Sequence, residues 1–174
     1  MMPFKDILKQ KKCEAVLLDQ LQSAYEATPK AERSVMLHAE DDYAFGFACR
    51  IGHLKLAKWL WKVCPEQEQS AMLHVKDEGA FLVACGHGHI ETAKWLLGLC
   101  ETPKEQKAML YVKDRGAFRV ACAKGHLEIA TWLWGLCETP KEQSAMLHVK
   151  DREAFRVACA KGHLEIATWL WGLC

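Results

Sequence analysis

The sequence predicts an all-α, helical-repeat solenoid, and three observations carry that prediction. One block occurs four times: AFGFACRIGHLKLAKWLWKVC (Ala44–Cys64), AFLVACGHGHIETAKWLLGLC (Ala80–Cys100), and AFRVACAKGHLEIATWLWGLC, identical at Ala117–Cys137 and Ala154–Cys174. The phenylalanines of the four copies, Phe45, Phe81, Phe118 and Phe155, lie 36, 37 and 37 residues apart. Within each copy the apolar residues recur at helical spacing, and no segment alternates with the period of two that a half-buried strand needs.

Residues 1–27 read as an N-terminal capping helix. Leu17, Leu18, Leu21 and Tyr25 fall on one face, with Asp19, Gln20, Gln22 and Ser23 opposite. A half-polar helix of this kind covers the first repeat and faces water outward, as the end of a solenoid must. Its longest apolar run is Ala15–Leu18, short of the roughly 7–15 residues of a secretory signal. Nothing approaches the roughly 18 apolar residues of a membrane span, so a cytoplasmic protein is expected.

Residues 28–174 read as four repeats, with core units at about 44–64, 80–100, 117–137 and 154–174. In the third, Ala117–Lys124 is a short helix ended by Gly125, and His126 opens a second. Leu127, Ile129, Ala130, Leu133 and Trp134 give that second helix a wide apolar face. Thr139–Pro140 followed by Glu142 supplies an N-cap and first-turn proline for a third, shorter helix reaching about Val149. A turn at Lys150–Asp151 then leads into the next copy. The chain stops at Cys174 with Trp169, Leu170 and Trp171 just behind and no polar closing helix. Two expectations follow: a continuation of the natural protein, or end-to-end self-association through the C-terminal repeat.

Nine cysteines are an odd number, so they cannot all pair within one chain. Eight of them fall in two repeat slots: Cys49, Cys85, Cys122 and Cys159 in one, and Cys64, Cys100, Cys137 and Cys174 in the other. The pairs Cys49/His53, Cys85/His89, Cys122/His126 and Cys159/His163 are zinc-ligand types. Two ligands per copy do not close a tetrahedral site, and the other cysteine lies a helix away. The reading is therefore small-residue packing, with no metal. Four equivalent copies reflect register and not one asymmetric catalytic constellation, so no catalytic residue is assigned and no enzyme is expected. With no phosphate-cradling loop and no dinucleotide fingerprint, no cofactor is expected either.

His38, His74 and His148 share their slot with Tyr111, which suits a partly buried ring with a polar tip better than a ligand. The seven tryptophans also follow register: Trp59, Trp95, Trp132 and Trp169 in one slot, and Trp61, Trp134 and Trp171 two residues on, where Leu97 substitutes once. Both slots are expected to pack into the core, with the helix covered on two sides.

The sequence Ala-Cys-Ala-Lys-Gly-His-Leu-Glu-Ile-Ala-Thr-Trp-Leu-Trp closely resembles the ankyrin repeat, with its small-residue helix, Gly-His junction and apolar second helix. Gly-His recurs at residues 52–53, 88–89, 125–126 and 162–163, and the resemblance runs from Thr28 to Cys174. This chain departs in its period of about 37 against about 33. It also lacks an opening Thr-Pro-Leu-His, has a finger too short for a β-turn hairpin, and carries the extra helix. The resemblance implies a non-enzymatic protein–protein interaction scaffold. Tryptophan-rich variants of this kind occur in intracellular bacteria and large viruses of amoebae, where they engage host proteins; a secreted effector would then reach the host cytosol.

By the same resemblance, the first helix of each repeat lines a concave groove. The residues assigned to bind a protein partner there and along the rim are Phe47, Arg50, Leu82, His87, Arg119, Lys124, Arg156 and Lys161, with Val83, Val120 and Val157 beside them. The 23 basic against 22 acidic side chains leave a net charge of +1. That balance disfavours nucleic acid and an anionic membrane as partners. Two alternatives are a helical-repeat nucleic-acid reader, which would need phosphate contacts from several repeats, and the repeat region of a longer effector or enzyme.

Overall fold

The structure, a computed structural model, describes residues 4–8, 13–148 and 153–173. Among these there are twelve α-helices, one short 3-10 turn and no strand. The helices are α1 (Phe4–Leu8), α2 (Glu14–Ala27), α3 (Arg33–Leu37), α4 (Ala39–Ile51), α5 (Leu54–Val63), α6 (Glu66–Gly86), α7 (Ile90–Leu97), α8 (Pro103–Lys124), α9 (Leu127–Gly135), α10 (Pro140–His148), α11 (Glu153–Ala160) and α12 (Leu164–Gly172). The chain forms two compact units, Met1–Ala80 and Phe81–Cys174.

In the first unit, α2 clamps α5 at both ends. The Glu14 carboxylate accepts from the backbone N–H groups of Lys55 (2.8 Å) and Leu56 (3.3 Å). These are donors that the first turn of a helix cannot satisfy internally. At the other end the Tyr25 hydroxyl donates to the Val63 carbonyl at 3.3 Å, and its ring meets Trp59 edge-on, centroids 5.7 Å apart. Leu17 and Leu21 are buried between these two anchors, with Leu56, Ala57 and Leu60 of α5 buried alongside Phe45 of α4.

The second unit repeats one junction twice. Gly88 and Gly125 both adopt φ +85°, and at each the imidazole of the next copy lies on the bare backbone. His126 Nε2–H donates to the Gly86 carbonyl at 3.1 Å, and His163 Nε2–H donates to the Ala123 carbonyl at 3.2 Å. Both carbonyls belong to the last turn of a helix, where acceptors are otherwise orphaned. A Cβ on either glycine would stand 2.9 Å from the histidine ring. The left-handed backbone and the close approach therefore both require glycine.

Alanine and cysteine side by side on each first helix complete the stacking. Ala48 and Cys49, Ala84 and Cys85, and Ala121 and Cys122 are fully buried, their small side chains allowing helices to approach closely. Between the copies runs an aromatic ladder. Phe118 contacts Trp134 of its own copy (6.4 Å) and Trp169 of the next (6.2 Å), and Phe81 contacts Trp132 of the next at 6.4 Å.

Two expectations need correction. The turn between the short helix and the first repeat helix is absent from two copies: Lys76–Asp77 and Lys113–Asp114 lie inside the continuous helices α6 and α8. The stretch contains no proline, and a single mid-helix glycine (Gly79, Gly116) costs only about 1 kcal/mol against alanine. Lys150–Asp151 itself lies outside the described residues, as does Val149. The tryptophans are not fully buried: all are half-buried except Trp171, which is 69% exposed. Trp132 and Trp169 reach back to the phenylalanine of the preceding copy, and Trp61, Trp134 and Trp171 lie tilted against that of their own.

The capping expected at Thr139 is present. Thr139 Oγ1 accepts from the Glu142 N–H (3.2 Å), and Glu142 Oε2 accepts from the backbone N–H groups of Glu138 (2.9 Å) and Thr139 (3.3 Å). Thr102 and Glu105 form the same reciprocal box on α8.

Substituting Gly162, which has φ +74° and open space around it, isolates the backbone strain. Gly162→Ala is expected to lose about 1–2 kcal/mol. Gly125→Ala adds collision with His163 and is expected to lose at least about 1 kcal/mol more. Urea unfolding of both variants measures the difference, and equal losses would show that the His163–Gly125 contact contributes nothing. A second prediction concerns acid. The Glu138 backbone N–H first, and then Lys107, holds the Glu142 carboxyl below its ordinary value of 4.5. A carboxyl held low stabilises the fold above its unfolded pKa, and that contribution disappears as pH falls through the folded value. Helix content followed from pH 6 to pH 3 is expected to fall less steeply in Glu142→Gln than in the wild type.

Candidate functional site

The eight residues assigned to partner binding occupy distinct environments. In the first unit, Phe47 is half-buried on α4 with its ring 5.9 Å from that of Tyr43, and the exposed Arg50 guanidinium lies over it at 5.2 Å. This is an aromatic–cation cluster spanning about two helical turns. In the second unit Leu82 is half-buried on α6, and His87 stands exposed just beyond it. His87 Nδ1–H donates to the Val83 carbonyl (2.9 Å), and its ring stacks parallel to His89. Lys124 and Lys161 are exposed at helix ends, and Arg156 is exposed in the middle of α11.

Arg119 is tied differently from Arg156, although the two share a repeat slot. Its guanidinium donates to Glu153 Oε1 at 3.1 Å, linking α8 to α11. Glu153 occurs only in the last copy, where the earlier ones carry Tyr43, Gly79 and Gly116. Val120, expected in the groove row, packs on the Gly86 backbone instead; a Cβ there would stand 2.6 Å from Val120 Cγ1. Glu153, Arg156, Val157 and Ala160 line an open depression of ≈ 490 Å³.

The cysteines divide sharply. Burial pushes the thiols of Cys49, Cys85 and Cys122 up to about 12. At neutral pH they are protonated, so these positions supply neither thiolate nucleophiles nor ready metal ligands. Cys159 holds the same slot in the last copy and is exposed, as is Cys13.

Among the described residues, one group of His, Cys, Asp and Glu side chains brings its ligand atoms within 4.8 Å of one another: His38, Cys64 and Glu68. His38 closes the junction of α3 and α4, Cys64 ends α5, and Glu68 lies in the first turn of α6. His38 Nε2–H donates to Glu68 Oε2 at 2.9 Å, and Ser34 Oγ donates to the same oxygen at 2.8 Å. The Cys64 sulfur is 3.8 Å from that same His38 Nε2, and its thiol points at the Pro65 carbonyl 3.6 Å away. A Cys-His-acid catalytic triad uses both imidazole nitrogens, one toward the nucleophile and one toward the acid. Here both groups meet one nitrogen, which excludes the triad arrangement.

Sequence reasoning paired each repeat's Cys-x-x-x-His and missed this group, whose members are 26 and 4 residues apart along the chain. A signal was available. The first inter-copy link reads Cys-Pro-Glu-Gln-Glu (Cys64–Glu68), where the others read Cys-Glu-Thr-Pro-Lys-Glu (Cys100–Glu105, Cys137–Glu142). This one-residue deletion also accounts for the 36-residue first period. It removes the threonine that would draw Glu68 into a capping box.

Across 98% of this chain, the structure is similar to that of an ankyrin repeat family protein from Legionella pneumophila, with a TM-score of 0.59 and 22% sequence identity. This chain spans 50% of the length of that one. No family model matches the sequence, and no curated protein does. The likeness defines the class: an all-α helical-repeat solenoid of ankyrin-like fold. The finger that the sequence made short is replaced by helix, since α6 and α8 run straight through the position where it would project.

The burial pattern makes a direct chemical prediction. Iodoacetamide at pH 8 under native conditions is expected to modify Cys13 and Cys159 quickly. Cys49, Cys85 and Cys122 should react only after denaturation, as peptide mass spectrometry would show. Rapid native modification of Cys85 would contradict the packing described.

Proposed function

We propose that the chain is a non-enzymatic interaction scaffold that binds another protein through the first-helix surfaces of its ankyrin-like repeats. Phe47 and Arg50 serve in the first unit. Leu82, His87, Lys124, Arg156 and Lys161 serve in the second, with Arg119 orienting Glu153 beside the depression. Residues 1–27 act as the cap. The observation that carries this reading is the ankyrin-like fold itself, combined with the commitment of its small, aromatic and cysteine slots to packing. What each repeat has left to vary is this surface.

Arginine and aromatic side chains dominate binding energy at protein interfaces, and the Tyr43–Phe47–Arg50 cluster supplies both types. The depression lined by Glu153, Arg156, Val157 and Ala160 combines apolar side chains with both signs of charge. No described helix is long and apolar enough to cross a membrane.

The test compares wild type with the triple variant Phe47→Ala, Arg156→Ala, Lys161→Ala in quantitative affinity capture. Arg119 is left intact because its removal would strand Glu153. The variant is expected to keep its helical melting profile and lose at least tenfold of specifically captured protein. Identical capture by the two would overturn the assignment. Tight, steeply salt-dependent binding of random single-stranded RNA or duplex DNA would replace it with a nucleic-acid reader.

A further inference from the structure

We propose that His38, Cys64 and Glu68 form a zinc-binding site, specific to the first inter-repeat link, that ties the α3–α4 junction, the end of α5 and the start of α6 to one ion. Their atoms already converge. Tetrahedral zinc, with bonds of about 2.3 Å to sulfur and about 2.0–2.2 Å to nitrogen and oxygen, places its ligand atoms roughly 3.4–3.6 Å apart. The observed separations, 3.8 Å for Cys64 Sγ to His38 Nε2 and 2.9 Å for His38 Nε2 to Glu68 Oε2, bracket that value. All three ligand atoms lie within 4.8 Å of one another.

The donor set selects the metal. One thiolate, one imidazole and one carboxylate suit zinc, whereas magnesium and calcium require oxygen alone. Zinc takes the place of the hydrogen that Nε2 now donates to Glu68. The ring then carries its hydrogen on Nδ1, and the Cys64 thiol proton leaves to solvent. Cys64 is buried, with 4% exposure, while the His38 and Glu68 side chains are 25% and 33% exposed. The ion thus has an entry path and room for water as a fourth ligand. Ser34 holds the Glu68 carboxylate in place, and Gln69 Nε2–H donates to the Trp61 (3.1 Å) and Cys64 (3.2 Å) carbonyls, fixing the cysteine's backbone. Such outer contacts orient metal ligands.

Comparison among the copies sharpens the assignment. The glutamates in register, Glu105 and Glu142, each turn a carboxylate oxygen onto the N-terminus of their own helix. The third copy carries Tyr111 in the histidine slot. Among the described residues, only the first link brings histidine, cysteine and a glutamate not engaged in a capping box to one point.

The test uses the full chain, stripped with a chelator under reducing conditions and titrated with Co²⁺ as a spectroscopic stand-in. The expected result is one equivalent bound, with a thiolate-to-cobalt charge-transfer band and tetrahedral ligand-field absorption, both abolished by Zn²⁺. His38→Tyr, the residue the third copy already accepts in this slot, and Cys64→Ser should each weaken binding at least tenfold. Glu68→Gln should weaken it as well, whereas Cys137→Ser should leave it unchanged. Zn²⁺ should raise the Tm of wild type and not that of His38→Tyr. If Cys64→Ser fails to fold, the partly exposed His38 and Glu68 variants decide the matter. No saturable band, or a band that survives His38→Tyr and disappears with the exposed Cys13 replaced by serine, overturns the site.

Discussion

An imidazole lying on a bare glycine backbone is the contact on which the stacking of repeats depends. The glycine ends one helix in a left-handed conformation and, having no Cβ, lets the histidine of the next copy come within van der Waals range. That histidine donates to a carbonyl of the helix's last turn. One interaction thus terminates a helix, satisfies an orphan acceptor and sets the spacing between copies. The alanine–cysteine pairs can be buried completely only at that spacing. The phenylalanine–tryptophan ladder has its reach for the same reason: an indole on one copy can touch the ring of the copy before it.

This division of labour decides where function can reside. Positions that recur without variation serve mainly the stack, and burial withdraws Cys49, Cys85 and Cys122 from thiolate chemistry. Variation collects on the first helices and at the links. Arg119 and Arg156 occupy one slot and do different work, because Glu153 binds the first and nothing comparable among the described residues holds the second. The first link is one residue shorter than the others and lacks their threonine. That deletion turns a glutamate from capping its own helix to facing a histidine and a cysteine from two other elements.

Much was legible in the residues alone. The recurrence of Phe, Ala-Cys, Gly-His and Trp at constant spacing identified an all-α repeat and its register. The Thr-Pro-x-x-Glu pattern located a helix start whose cap is local, made by residues three apart. The small-residue reading of the Cys49, Cys85 and Cys122 slot follows from the same periodicity. These features depend on neighbours within one or two helical turns, and sequence spacing reports such distances directly.

Other features could not be read that way. Whether the charged stretch around Lys113–Asp114 turns or continues as helix depends on what packs against either side, since its own propensities permit both. The half-burial of the tryptophans depends on how far one copy lies from the next. Cys64 meets His38 and not His53 because α5 carries it from one end of the helix pair to the other, a displacement that residue counting along the chain does not reveal. Sequence by itself therefore determined the helical class, the register and the local caps, all of them set by short-range backbone and packing preferences. The tertiary structure decided which side chains of different helices share a point in space, because that depends on the closed geometry of packed helices.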